Sequence, residues 1–122
     1  MNILRKLCFM LLFCFILALS CSVASSATLG ELNALGQAKM YLTMTGFSYS
    51  GLIKQLEFEG YSHEEAVYGA KNCGADWNEQ AAIKAKEYLE IQSFSKKALI
   101  EQLRFEGFTK EQAAYGVKQV GY

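Results

Sequence analysis

The sequence predicts an all-α fold: two tandem three-helix repeats, each containing a helix–turn–helix, after an N-terminal signal helix. Three observations carry this prediction. QLEFEGYSHEEA (Gln55 to Ala66) and QLRFEGFTKEQA (Gln102 to Ala113) lie 47 positions apart and read almost alike. Aligned without a gap, Ala34–Ala75 and Ala81–Tyr122 are identical at twenty of forty-two positions, and a fixed period of this size marks a repeated supersecondary unit. Apolar residues recur at helical spacing in both copies, and no Pro occurs anywhere in the chain.

The first element is an export signal, residues 1–20. Arg5 and Lys6 precede an apolar run of 13 residues, Leu7 to Leu19. As a helix such a run is about 20 Å long, short of the ~30 Å hydrocarbon core of a bilayer. It ends at ALSC (Ala18 to Cys21), with ordinary signal-peptidase sites following at Ser22–Ala24 and Ser25–Ala27. Residues 21–30 make a short tether. Cys8 and Cys14 fall inside the apolar run, so only Cys73 stands within the repeats, and neither a disulfide framework nor a metal site is implied.

Repeat 1 occupies residues 31–75. Its first helix runs from about Glu31 to Met44, with Leu32, Leu35, Ala38 and Leu42 at helical spacing. Ser48 caps a second helix carrying Leu52, Ile53 and Leu56, which stops at the structural pivot Gly60. SHEE (Ser62 to Glu65) is a capping box that opens the third helix. Phe58 and Tyr61 are expected to pack across the bend. Repeat 2, residues 76–122, opens on an Asp76 cap and a helix from Trp77 to about Ile91, with Ala81, Ala85, Tyr88 and Leu89 inward. Its pivot is Gly107, and TKEQ (Thr109 to Gln112) repeats the capping chemistry with other residues. A unit of some 45 residues buries too little surface to be stable alone. The two are therefore expected to share a core, with Trp77 as plug.

Without Arg5 and Lys6 the chain holds ten Lys and Arg against twelve Asp and Glu. That balance, with Glu64 and Glu65 where a recognition helix would meet phosphates, argues against nucleic acid. The sole histidine, His63, has Lys110 at the equivalent place, no nucleophile–His pair or phosphate loop appears, and the chain is not read as an enzyme or as holding a cofactor. Glu59 and Glu106 recur at helix C-termini, where a negative charge is disfavoured by ~0.3–1 kcal/mol, so each calls for a partner. That partner is either local, fixing the bend, or external. Gln55, Glu57, Glu59, Glu64, Glu65, Gln102 and Glu106 are the partner-binding candidates. Charge is unevenly shared: Glu31–Ala75 carries three Lys against five Glu, and Asn78–Tyr122 seven Lys and Arg against six Glu. The acidic repeat 1 then suits a basic partner, and repeat 2 suits anionic headgroups.

FSYSGLIKQLEFEGYSHEEAVYG (Phe47 to Gly69) and FSKKALIEQLRFEGFTKEQAAYG (Phe94 to Gly116), each after an AKxYL stretch, resemble the Ltp-type host-cell-surface-exposed lipoproteins of temperate phages and prophages of Gram-positive bacteria. The resemblance covers nearly all of the chain beyond the signal. It implies helix–turn–helix-like repeats tethered outside the membrane by a lipid on Cys21, acting in superinfection exclusion. The lipoprotein would block an incoming phage at DNA injection by engaging its tail tape-measure protein. ALSC departs from the usual lipobox, since Leu19 stands two rather than three residues before Cys21, and the long polar spacer is missing. Cys21 to Thr28 spans about 25 Å when extended, which would hold the domain against the bilayer. The alternative is a secreted or wall-associated helical repeat protein that binds an unrelated host or cell-envelope ligand.

Overall fold

The computed structural model describes residues 25–122, so the signal segment and Cys21 lie outside the described residues. Six helices follow: α1 Leu29–Met44, α2 Tyr49–Phe58, α3 His63–Asn72, α4 Trp77–Ile91, α5 Lys96–Phe105 and α6 Lys110–Gln119. Among the described residues no helix is long and apolar enough to cross a membrane.

Cap chemistry sets the boundaries. Ser48 Oγ accepts from Gly51 N at 2.9 Å and starts α2. Ser62 and Glu65 form a complete capping box on α3, as Thr109 and Gln112 do on α6. Asp76 Oδ1 accepts from Asn78 N and Glu79 N to start α4. α1 begins two residues earlier than expected, because Thr28 and Glu31 make a further capping box. At the end of α2, Gly60 has φ 103°. There Gly60 N donates to Glu57 O and Tyr61 N to Leu56 O, the paired bonds of a left-handed helix stop. Gly107, with φ 101°, closes α5 through the same two bonds.

In each repeat the first and third helices make the closest contact. A Cβ on Gly69 would lie 2.9 Å from Ala34 O, and one on Gly116 only 2.6 Å from the Ala81 carbonyl carbon. The middle helix fills the remaining space with Leu52 and Leu56 in repeat 1 and Leu99 and Leu103 in repeat 2, all fully buried. Truncating such a leucine to alanine typically costs ~2–5 kcal/mol.

Three expectations need correcting. The repeats do not share a core: one apolar cluster is built on Ala38, Leu52, Leu56, Ala66 and Ala70, and a separate one on Ala81, Ala85, Leu99, Leu103, Phe108, Ala113 and Val117. Trp77 does reach back to repeat 1, meeting Tyr49 edge-on at 5.4 Å, but the junction proper is polar. Leu32 is half exposed, because Ala34 and Ala38 define the inner stripe of α1 and Leu32 lies about 200° round the helix from Ala34. Only the aromatic after each pivot packs inward. Phe108 is 3% exposed and Tyr61 joins the first core, whereas Phe58 and Phe105 are each 86% exposed. Each stands two residues past a core leucine, on the opposite side of its helix.

Replacing Gly60 by Ala should cost about 1 kcal/mol in urea titration, from the left-handed backbone alone. Gly107→Ala should cost more, because its methyl group would also press on Ser50 Oγ and stand 2.7 Å from Ser48 Oγ at the junction. Gly116→Ala should likewise cost more than Gly60→Ala, because its methyl group meets backbone. Equal midpoints for all three variants would contradict this account of the helix crossing.

Candidate interaction surface

The retained polar residues separate into two groups. Gln55 and Gln102 are half-buried ties within their repeats. Gln55 Nε2 donates to Tyr41 Oη at 3.2 Å, and Gln102 Nε2 to Tyr88 Oη at 3.0 Å, joining the middle helix to the first. In repeat 2 the Tyr88 hydroxyl donates onward to the Glu106 carboxylate. The recurrence of the two glutamines therefore has a local explanation, whereas the bond to Glu106 belongs to repeat 2 and its counterpart Glu59 is exposed. Glu65 is likewise occupied, its Oε2 accepting from Ser62 N at 2.9 Å in the capping box. Glu57, Glu59 and Glu64 are exposed around the bend of repeat 1, and Glu57 pairs with His63 Nδ1 at 2.5 Å.

The junction between repeats is held by hydrogen bonds from the α1–α2 loop. Thr45 Oγ1 donates to Glu87 Oε2 at 2.6 Å, and Gly46 N to Glu87 Oε1 at 3.0 Å. Phe47 N donates to Gln80 Oε1 at 3.0 Å, and Ser48 Oγ to Glu106 O at 2.6 Å. Ser48 and Gln80 are buried and both are hydrogen-bonded, as buried polar groups must be.

This docking brings the two outward phenylalanines to one groove of about 490 Å³. Phe58 and Phe105 line it, with Phe47, Lys54, Gln55 and Glu106 between them. Of the sequence candidates, Gln55 and Glu106 meet here; Glu64 and Glu65 do not line it. Contiguous exposed apolar surface marks a contact site, and these two rings, strongly exposed, line a single groove. Sequence reasoning missed them by assigning Phe58 to the bend. Counting helical positions from Leu56 and Leu103 would have found both.

The Tyr88 phenol titrates above its ordinary value. Burial first, and then the Glu106 carboxylate, raise its phenol above the usual 10.0. The folded state thus holds this proton more tightly than the unfolded chain. The resulting stability is complete below about pH 10 and is lost as pH rises through the raised value. Tyr88→Phe should cost about 1 kcal/mol at neutral pH and lose less than the parent on moving to alkaline urea titrations. A parallel alkaline decline in both proteins would remove Tyr88 as its source.

A family model described as host cell surface-exposed lipoprotein matches twice, over residues 31–72 and 76–120, once for each repeat. Among solved structures, Ltp, a superinfection exclusion protein from the Streptococcus thermophilus temperate phage TP-J34, is similar at 36% identity with a TM-score of 0.72. The match covers 76% of this chain and 97% of that one. No curated protein sequence matches. With the family pattern present in both repeats and the fold shared almost throughout the Ltp structure, the chain belongs to the host cell surface-exposed lipoproteins.

Proposed function

We propose that this protein excludes superinfecting phages from the surface of its host cell. Held by a lipid on Cys21, it binds a component of the incoming tail, the tape-measure protein, and blocks DNA injection. The observation that carries the binding surface is the pair Phe58 and Phe105, each 86% exposed and both lining the junction groove. Buried aromatic anchors dominate the energy of protein contacts, while charges around them govern encounter and selectivity. In this reading the phenylalanines anchor the phage protein, and Glu57, Glu59 and Glu64 attract a basic stretch of it. Gln55, Glu65, Gln102 and Glu106 shape the surface through the bonds they make within the repeats. The supports are family membership, the similarity to a superinfection exclusion protein, and the geometry of the groove.

A sensitive host expressing the protein should plate phage poorly, and Phe58→Ala with Phe105→Ala should restore plating by an order of magnitude or more. Thermal stability of that variant should change by less than about 0.5 kcal/mol, since both side chains are exposed. Replacing Glu57, Glu59 and Glu64 by Gln should weaken exclusion by degrees. Undiminished exclusion by the double phenylalanine variant would move the binding surface elsewhere.

Metabolic labelling with a fatty acid should mark the parent and not Cys21→Ser. Release of the parent into the medium, starting at Ser25 or Thr28, would sink the anchored form of the proposal.

A further inference from the structure

The face by which repeat 1 receives repeat 2 has an equivalent on repeat 2, built from the α4–α5 loop and the outer side of α5, and this one is uncovered. In repeat 1, Ser50 donates to Gly107 O at 3.3 Å, Lys54 lines the junction groove and Tyr49 packs on Trp77. The corresponding residues of repeat 2 are Lys97, Glu101 and Lys96.

A second copy of the chain does not fit there. A Cβ on Gly46 would stand 2.8 Å from Gln80 O and 2.9 Å from Lys84 N, so the docked helix tolerates no side chain at this place. Its equivalent is Ser93. Glu87, which accepts from both Thr45 and Gly46, corresponds in repeat 1 to Met40, which offers no carboxylate. The backbone approach and the two bonds to Glu87 are therefore both lost in a copy-on-copy stack.

The face has become cationic instead. Lys96 and Lys97 stand where repeat 1 has Tyr49 and Ser50, and Arg104 where it has Glu57. With half-buried Ile100 and with Glu101 they line a shallow groove of about 390 Å³. Glu101 is its single acid, 3.9 Å from Lys97 Nζ, in a pair whose side chains are 65% and 86% exposed. Long cationic side chains can lay their stems along an apolar floor such as Ile100 while their heads reach outward.

We propose that this face of α5 rests on the anionic phospholipid surface of the membrane. This rests on the lipid anchor on Cys21 proposed above, whose tether of about 25 Å would hold the repeats near that surface. Basic residues near such a surface each add to attraction that fades within a Debye length. The face would act as a second attachment and fix the orientation of the repeats, independently of which phage component is bound.

The test uses the unlipidated chain from Ser22 onward, which keeps all six helices and both cores. It should sediment with vesicles of phosphatidylcholine plus phosphatidylglycerol at low salt, and neither with phosphatidylcholine alone nor at high salt. Replacing Lys96, Lys97 and Arg104 by Gln should lower the partition coefficient ~10-fold or more without changing helicity. Replacing Lys39, Lys54 and Lys71 in repeat 1 should lower it far less. Equal partition of the two variants would overturn the proposal. So would sedimentation equilibrium showing a dimer that the first set of substitutions disperses, since the face would then be occupied by a second copy.

Discussion

The whole architecture depends on how closely the first and third helices of each repeat cross. Gly69 faces Ala34, and Gly116 faces Ala81, at distances that leave no room for another carbon. Small residues give close approach but little apolar volume. That volume must come from the middle helix, which supplies two fully buried leucines in each repeat. The middle helix is only ten residues long and must hand over at once to the third helix. The left-handed glycine after Glu59 or Glu106 makes that reversal, with the next aromatic turned into the core. The position two before the glycine is thereby forced outward. Exposure of Phe58 and Phe105 follows from the same geometry that closes the core.

The junction between repeats rests on a different principle. Its contacts are loop amides, hydroxyls and carbonyls meeting Glu87, Gln80 and the end of α5. Such bonds contribute modestly each, but leaving any of them unmade in a buried place is costly. They therefore fix one mutual orientation rather than supply bulk stability. Lys84 Nζ adds to the arrangement, donating to Thr45 Oγ1 at 3.1 Å and to Glu87 Oε2 at 3.3 Å. A sliding apolar interface would not hold Phe58 and Phe105 on one groove, whereas this network does.

Much of the fold was legible because it is written locally. Helix starts follow from Ser48, Ser62, Asp76 and Thr109, and helix stops from Gly60 and Gly107, each of which acts within a few residues. The family pattern was legible in the repeated FEG sentence. The junction was not, since Thr45 and Glu87 are 42 positions apart and nothing in either marks the other as its partner. The mistaken shared core came from assuming that two small units must pool apolar surface, when each has its own cluster of leucine and alanine and only Trp77 of repeat 2 packs against the first. The reading of Gln55 and Gln102 was open for a similar reason. Their tyrosine partners lie 14 residues away, on a different helix.

Comparison of the repeats separates structure from recognition more sharply than either repeat alone. Identity at Tyr41/Tyr88 and Gln55/Gln102 is accounted for by bonds inside each unit. Identity at Ala34/Ala81 and Gly69/Gly116 is accounted for by the helix crossing. Identity at Phe58/Phe105 has neither explanation, because both rings stand almost wholly in solvent. An exposed aromatic has no packing reason to recur, and its apolar area is costly in water. Differences are as informative. Gly46 becomes Ser93, and Tyr49 and Ser50 become Lys96 and Lys97, at the one face that is covered in repeat 1 and open in repeat 2. Once docked in one direction, the two copies of a single fold meet different neighbours, and their sequences diverge where those neighbours differ.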